Sequence, residues 1–166
     1  MKRLLGMLAA VAMLVGLCGC KTEPAIDPIT DGFAAQADIR YKEMDVKGQF
    51  SCSSDGRVNM EFSQPKSLDG VTLGFDGTSM QMKLGDMTIS VAEDSMPDGG
   101  LIRRLSQVLA AVQPQEGQKK DGDYVITGTA EGVSYTLVCD AATGLPKSLS
   151  VPDEQLEVTF SQVTKL

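Results

Sequence analysis

The side chains able to do chemistry in this 166-residue sequence are few. There are four cysteines, Cys18, Cys20, Cys52 and Cys139, and 22 acidic residues, but no histidine and no tryptophan. Without histidine, the Ser–His and Cys–His pairs that activate a nucleophile cannot form. No glycine-rich loop stands between a strand and a helix, as phosphate cradling requires. Metal ligation then falls to carboxylates. Asp121 and Asp123 flank Gly122, and Asp153 adjoins Glu154; these are turn-forming arrangements, with a calcium site as the alternative. A carboxylate pair can cleave glycosidic bonds, but acids in turns and on wet strand faces have nothing to raise a pKa. No enzyme, no cofactor and no metal is expected. Cys52 and Cys139 fit no metal spacing and read either as two buried thiols or as a disulfide.

Cys20 is different because of what precedes it. Lys2 and Arg3 are followed by an uncharged run from Leu4 to Leu17, then small residues and cysteine. That order is a secretory signal peptide. The run is short for a membrane-spanning helix, which takes ~20 residues. Leu17-Cys18-Gly19-Cys20 resembles the bacterial lipobox, whose cysteine becomes the acylated first residue of the mature chain. The resemblance implies lipidation at Cys20 and a location outside the cytoplasmic membrane, on the cell surface or the periplasmic side. Cys18 competes as the modified residue, but Leu17 is larger than the Gly or Ala that a lipobox holds before its cysteine. Ordinary cleavage, leaving Cys20 a free thiol, is the other alternative.

Cleavage after residue 19 leaves 147 residues, the length of one domain. The expected division is a signal peptide over 1–19, an acylated cysteine and Pro-containing tether over 20–32, and one domain over 33–166. The mature chain carries 13 basic and 22 acidic residues, a net of −9. That balance argues against nucleic acid and against an electrostatic grip on anionic lipids. Membrane attachment then rests on acyl chains, which hold well when there are two or more.

From Phe33 onward the apolar period is two. Ala35, Ala37, Ile39 and Tyr41 form one row; Val46, Gly48, Phe50 and Cys52 the next; Val58, Met60 and Phe62 the third, after an Asp55-Gly56 hairpin turn. Further rows are Val71, Leu73 and Phe75; Met80, Met82 and Leu84; and Met87, Ile89 and Val91. Such alternation marks antiparallel strands with one dry face. The period then changes: Leu101, Ile102, Leu105, Val108, Leu109 and Val112 paint one face of a helix, and Pro114 stops it. Arg103 and Arg104 fall on its outer side, as a solvated face or an anchor for an acidic partner. Gln115 to Gly122 reads as a charged loop. Strands resume at Tyr124–Thr127, Val133–Cys139, Leu145–Val151 and Leu156–Phe160. Pro146 marks the third of these as an edge or bulged strand.

About ten strands side by side span ~45 Å, whereas the helix is only ~18 Å long and ~10 Å wide. To keep its dry face from water, the sheet must curl into a barrel or half-barrel. Met60, Met80, Met82 and Met87 lie in neighbouring strands on that face, either as flexible core filler or as an adaptable apolar lining.

A lipid-anchored chain of six meandering strands, a helix and four further strands resembles the LolA/LolB lipoprotein-localisation superfamily, which includes the LppX- and RseB-like proteins. The stretch Gln64-Pro65-Lys66-Ser67-Leu68-Asp69-Gly70-Val71, then Leu73-Gly74-Phe75-Asp76-Gly77, is similar to a strand–Pro–loop–strand–Asp-Gly pattern found there. The resemblance covers most of residues 33–166. It implies a mainly β (α+β) fold, an unclosed half-barrel around helix, and binding of acyl chains or an accessory role at the envelope. The sequence departs from the family at its start, where residues 21–32 are too short and Pro-rich for the usual N-terminal helix.

The expected function is a lipid-anchored module holding a lipid, acyl chain or lipoprotein under the helix, lined by Met60, Phe62, Phe75, Met80, Met82, Leu105 and Leu109. The alternative is an envelope accessory protein that binds another protein or a second copy of itself.

Overall fold

The computed structural model describes residues 31–95, 100–112 and 117–166. The expected signal peptide, Cys18, Cys20, most of the expected tether, Pro97–Gly99 and Pro114 lie outside the described residues. Eleven strands form one antiparallel sheet: β1 Phe33–Tyr41, β2 Met44–Cys52, β3 Val58–Gln64, β4 Val71–Phe75, β5 Ser79–Leu84, β6 Met87–Ala92, β7 Gly117–Lys120, β8 Asp123–Ala130, β9 Val133–Asp140, β10 Pro146–Val151 and β11 Leu156–Lys165. Helix α1 spans Leu101–Ala111, between β6 and β7.

The spatial order is β6-β5-β4-β3-β2-β1-β11-β10-β9-β8-β7. Two meanders meet where β1 pairs with β11, Ile39 opposite Val158 and Tyr41 opposite Leu156. The two edges, β6 and β7, are consecutive in sequence, so the chain crosses from one edge to the other through α1. The helix touches β3 and β4 on one side and β8 on the other. β3 and β8 stand six places apart in the sheet, ~29 Å if it were flat. A helix ~10 Å wide reaches both only because the sheet curls round it. Among the described residues, an open antiparallel half-barrel around one helix is thus the observed architecture.

The dry rows form the core. Phe33, Phe50 and Phe160, from β1, β2 and β11, meet with ring centroids 5.4–5.7 Å apart. Met60, Leu105, Val108, Ile126 and Leu137 are fully buried. Gly48 takes a place in a dry row because β2 and β3 shift register beside it. A Cβ there would lie 1.9 Å from the Glu61 carbonyl oxygen, so no larger residue fits. Ser106 Oγ donates to the Gly56 carbonyl (2.9 Å) and Tyr135 Oη to the Ala111 carbonyl (3.1 Å), tying the middle and the C-terminal end of the helix to the sheet.

Two expectations are corrected and one is narrowed to a single alternative. Gly117–Lys120, read as part of a charged loop, is a strand, because its main chain pairs with β8 without any apolar alternation. β10, expected from Pro146 to be an edge or a bulged strand, is the bulged one: it lies between β9 and β11, with a register shift between Pro146 and Ser148. Arg104 is not on a solvated face, because the turn at Pro152–Glu154 folds over it and Glu154 pairs with it.

Candidate apolar binding face

β4, β5 and β6 pair in register, and their odd and even positions separate by polarity. On the core side they form three rows: Phe75, Met80 and Val91; Leu73, Met82 and Ile89; Val71, Leu84 and Met87. On the other side stand Thr72, Lys83 and Thr88, then Gly74, Gln81 and Ser90. Hairpins at Gly77 and Gly85, both with positive φ, hold this register.

Exposure rises with distance from the helix. Ser106 is bonded to the β2–β3 turn, which places α1 over the end of the sheet where Val58 faces Phe75. Phe75 is accordingly buried, and Met80 and Val91 are half-buried. Beyond them Met82 is 36% exposed, Ile89 43%, Leu84 52% and Met87 60%. An eleven-residue helix, ~16 Å long, ends before it covers them. Four large apolar side chains in one contiguous patch is more than scattered surface hydrophobics account for.

The seven expected lining residues share this continuous face, but in two environments. Met60, Phe62, Phe75, Leu105 and Leu109 belong to the packed core, each no more than 6% exposed. Met80 is half-buried and Met82 is open. The face also includes Leu84, Met87 and Ile89, which the expected lining omitted. The signal was present: β6 is the last strand before the chain turns towards the helix, so its dry face is the one a short helix reaches least.

The opposite face carries a cleft of about 350 Å³ lined by polar Ser51, Asn59, Arg57 and Asp76 together with apolar Leu166. Asp76 accepts hydrogen bonds from the backbone N–H groups of Thr78 and Ser79 (2.9 and 2.8 Å), which hold its carboxyl well below the usual range. This acid is spent on shaping its own turn. Cys52 and Cys139 are free, buried thiols, which burial pushes up to about 11 and about 12. At neutral pH they are protonated and pack as small apolar groups. Asp123 and Asp140 both pair with Lys147, at 2.6 and 3.3 Å. Among the described residues no cluster of acids and cysteines could hold a metal ion.

No protein-family model matches the chain, and no curated protein matches it. Solved structures do. An uncharacterized conserved protein from Thermus thermophilus superposes with a TM-score of 0.52 at 11% identity, over 83% of this chain and 80% of that one. A LolA superfamily protein from Nitrosomonas europaea gives 0.45 at 9% identity, over 85% and 89%. The Mycobacterium tuberculosis lipoprotein LppX gives 0.39 at 16% identity, over 81% and 86%. The chain is therefore similar in fold to the Thermus thermophilus protein, and the solved structures resembling it include a LolA superfamily protein and LppX.

Proposed function

We propose that this protein is a lipid-anchored extracytoplasmic binding module that takes an apolar ligand, a lipid or acyl chain, along the β4–β6 face beside the helix. One observation carries the reading: Met82, Leu84, Met87 and Ile89 are exposed in a single patch continuous with the core. Covering such a patch gains about 25 cal/mol per Å². Methionines at three of the nine positions suit a flexible chain of variable shape. The polar turns around the face supply few fixed hydrogen-bond donors, so selectivity would come from shape and length. Anchoring through Cys20 would keep the face within reach of a membrane, the source of such ligands.

A second reading, an accessory protein without a ligand, is favoured by the packing beneath the helix. Met60 and Leu105 have no exposed surface, so that space is taken by side chains, and the open wing alone would then serve a protein partner.

The test is extraction of the purified domain (residues 21–166) with organic solvent, read by mass spectrometry, with titration of a fluorescent fatty acid. The ligand reading expects a bound lipid or saturable uptake. A clean extract with no uptake removes it and leaves the accessory reading.

A further inference from the structure

The two edges of the sheet are treated differently. β7, Gly117-Gln118-Lys119-Lys120, has four residues, two of them lysines. Short length and lysine are the usual means of keeping an edge strand from pairing. β6, Met87-Thr88-Ile89-Ser90-Val91-Ala92, has six residues with no charge, no proline and no register shift against β5. Among the described residues β5 is its only sheet partner. Every second N–H and C=O along β6 thus points outward in the plane of the sheet. A lipid cannot satisfy that ladder; another strand can.

We propose that β6 accepts an extended segment of a partner polypeptide as a twelfth strand, with alternate apolar residues on the core side and basic residues at its ends. Met87, Ile89 and Val91 define the alternation, because directly opposite residues in an antiparallel pair share a face. Apolar residues there would carry the β4–β6 rows one strand further. The basic ends follow from charge. β6 is neutral, but exposed Asp86 precedes it and exposed Asp94 follows it. Lys83 stands one strand in, on the other face. A second copy of this chain fits poorly. Antiparallel self-pairing centred on Ile89 or Ser90 brings each copy's Asp86 within two residues of the other's Asp94, and each copy is acidic overall. Like charges across a pair destabilise it, and opposite charges select the partner.

The mode is β-strand addition, in which main-chain bonds give affinity and alternate side chains give specificity. It uses the edge of the sheet rather than its face, so it stands or falls separately from lipid binding.

The test uses the whole mature chain (residues 20–166) with Cys20→Ala. The probe is the peptide Lys-Lys-Val-Thr-Val-Thr-Val-Lys-Lys, beside the same peptide with glutamates for lysines. The expected result is binding of the lysine peptide, with hydrogen-exchange protection of the Met87–Ala92 amides and at least tenfold weaker binding of the glutamate peptide. The Asp86→Lys, Asp94→Lys double variant, with an unchanged thermal melt, reverses that preference. Protection elsewhere, equal binding of both peptides, or no binding overturns the proposal. So does a dimer by light scattering whose β6 amides are already protected without peptide. Fatty-acid uptake read in the same samples reports on the ligand reading independently.

Discussion

Arg104 reaches from α1 to Glu154, in the turn before β11, with Nη2 2.5 Å from Oε1. Both side chains are withdrawn from water, 11% and 15% exposed. Arg104 Nη1 also donates to Gln107 Oε1 at 3.1 Å. Arg104 Nε and Glu154 Oε2 have no hydrogen-bond partner among the described residues. The pair pins the helix to the β10–β11 side of the half-barrel while leaving part of each charge unsatisfied.

Breaking that pair from one side strands a charge. Arg104→Met is expected to lower unfolding stability by about 3 kcal/mol. Adding Glu154→Leu should recover most of the loss, because a buried pair with open valences is readily matched by apolar packing. Urea unfolding of the two variants measures both steps. A double variant as unstable as the single one would contradict the account.

The buried thiols make stability fall in alkali. Cys52 and Cys139 rise from the ordinary thiol value of 9.0 to about 11 and about 12 in the folded chain. The native state therefore keeps protons that the unfolded chain releases. Their contribution is fully present below pH 9 and is lost as pH rises through 11 and 12. Thermal melts between about pH 8 and 12 should fall more steeply for the wild-type chain than for Cys52→Ala, Cys139→Ala. In the native state at about pH 8 both thiols should resist a disulfide reagent that labels them rapidly in urea.

Cys20→Ala should leave the fold unchanged and move the protein from washed membranes to the soluble fraction. The chain is acidic overall and offers anionic lipid no electrostatic grip, so on the lipobox reading the acyl chains alone would hold it. A variant that stays membrane-bound after washing contradicts the lipobox reading.

The dry rows were legible because period two assigns every second residue to one face, and that face carries Met60 and Met82 alike. What separates these two methionines is distance from the helix. Met60 is buried and Met82 open because α1 is docked at the Val58–Phe75 end, a tertiary fact with no local signature. β7 was hidden for another reason. Gln118 to Lys120 hold their place by main-chain bonds to β8, and main-chain bonding leaves no trace in side-chain polarity. Arg104 lies where helical periodicity predicts solvent. Only the fold of the turn at Glu154, fifty residues later, brings a carboxylate to it.

The apolar wing is the centre of the account, and Met82 and Ile89, directly opposite across β5 and β6, are its middle. Burying each side chain against a ligand is worth about 1.5–3 kcal/mol, and about 1.4 kcal/mol is tenfold in affinity. Titration of a fluorescent fatty acid into the wild-type domain and into Met82→Gln, Ile89→Thr tests this most directly. Saturable uptake is expected for the wild-type domain, at least tenfold weaker in the variant, with the same far-ultraviolet circular dichroism for both. Equal uptake by the two proteins, or none by the wild-type domain, would contradict it.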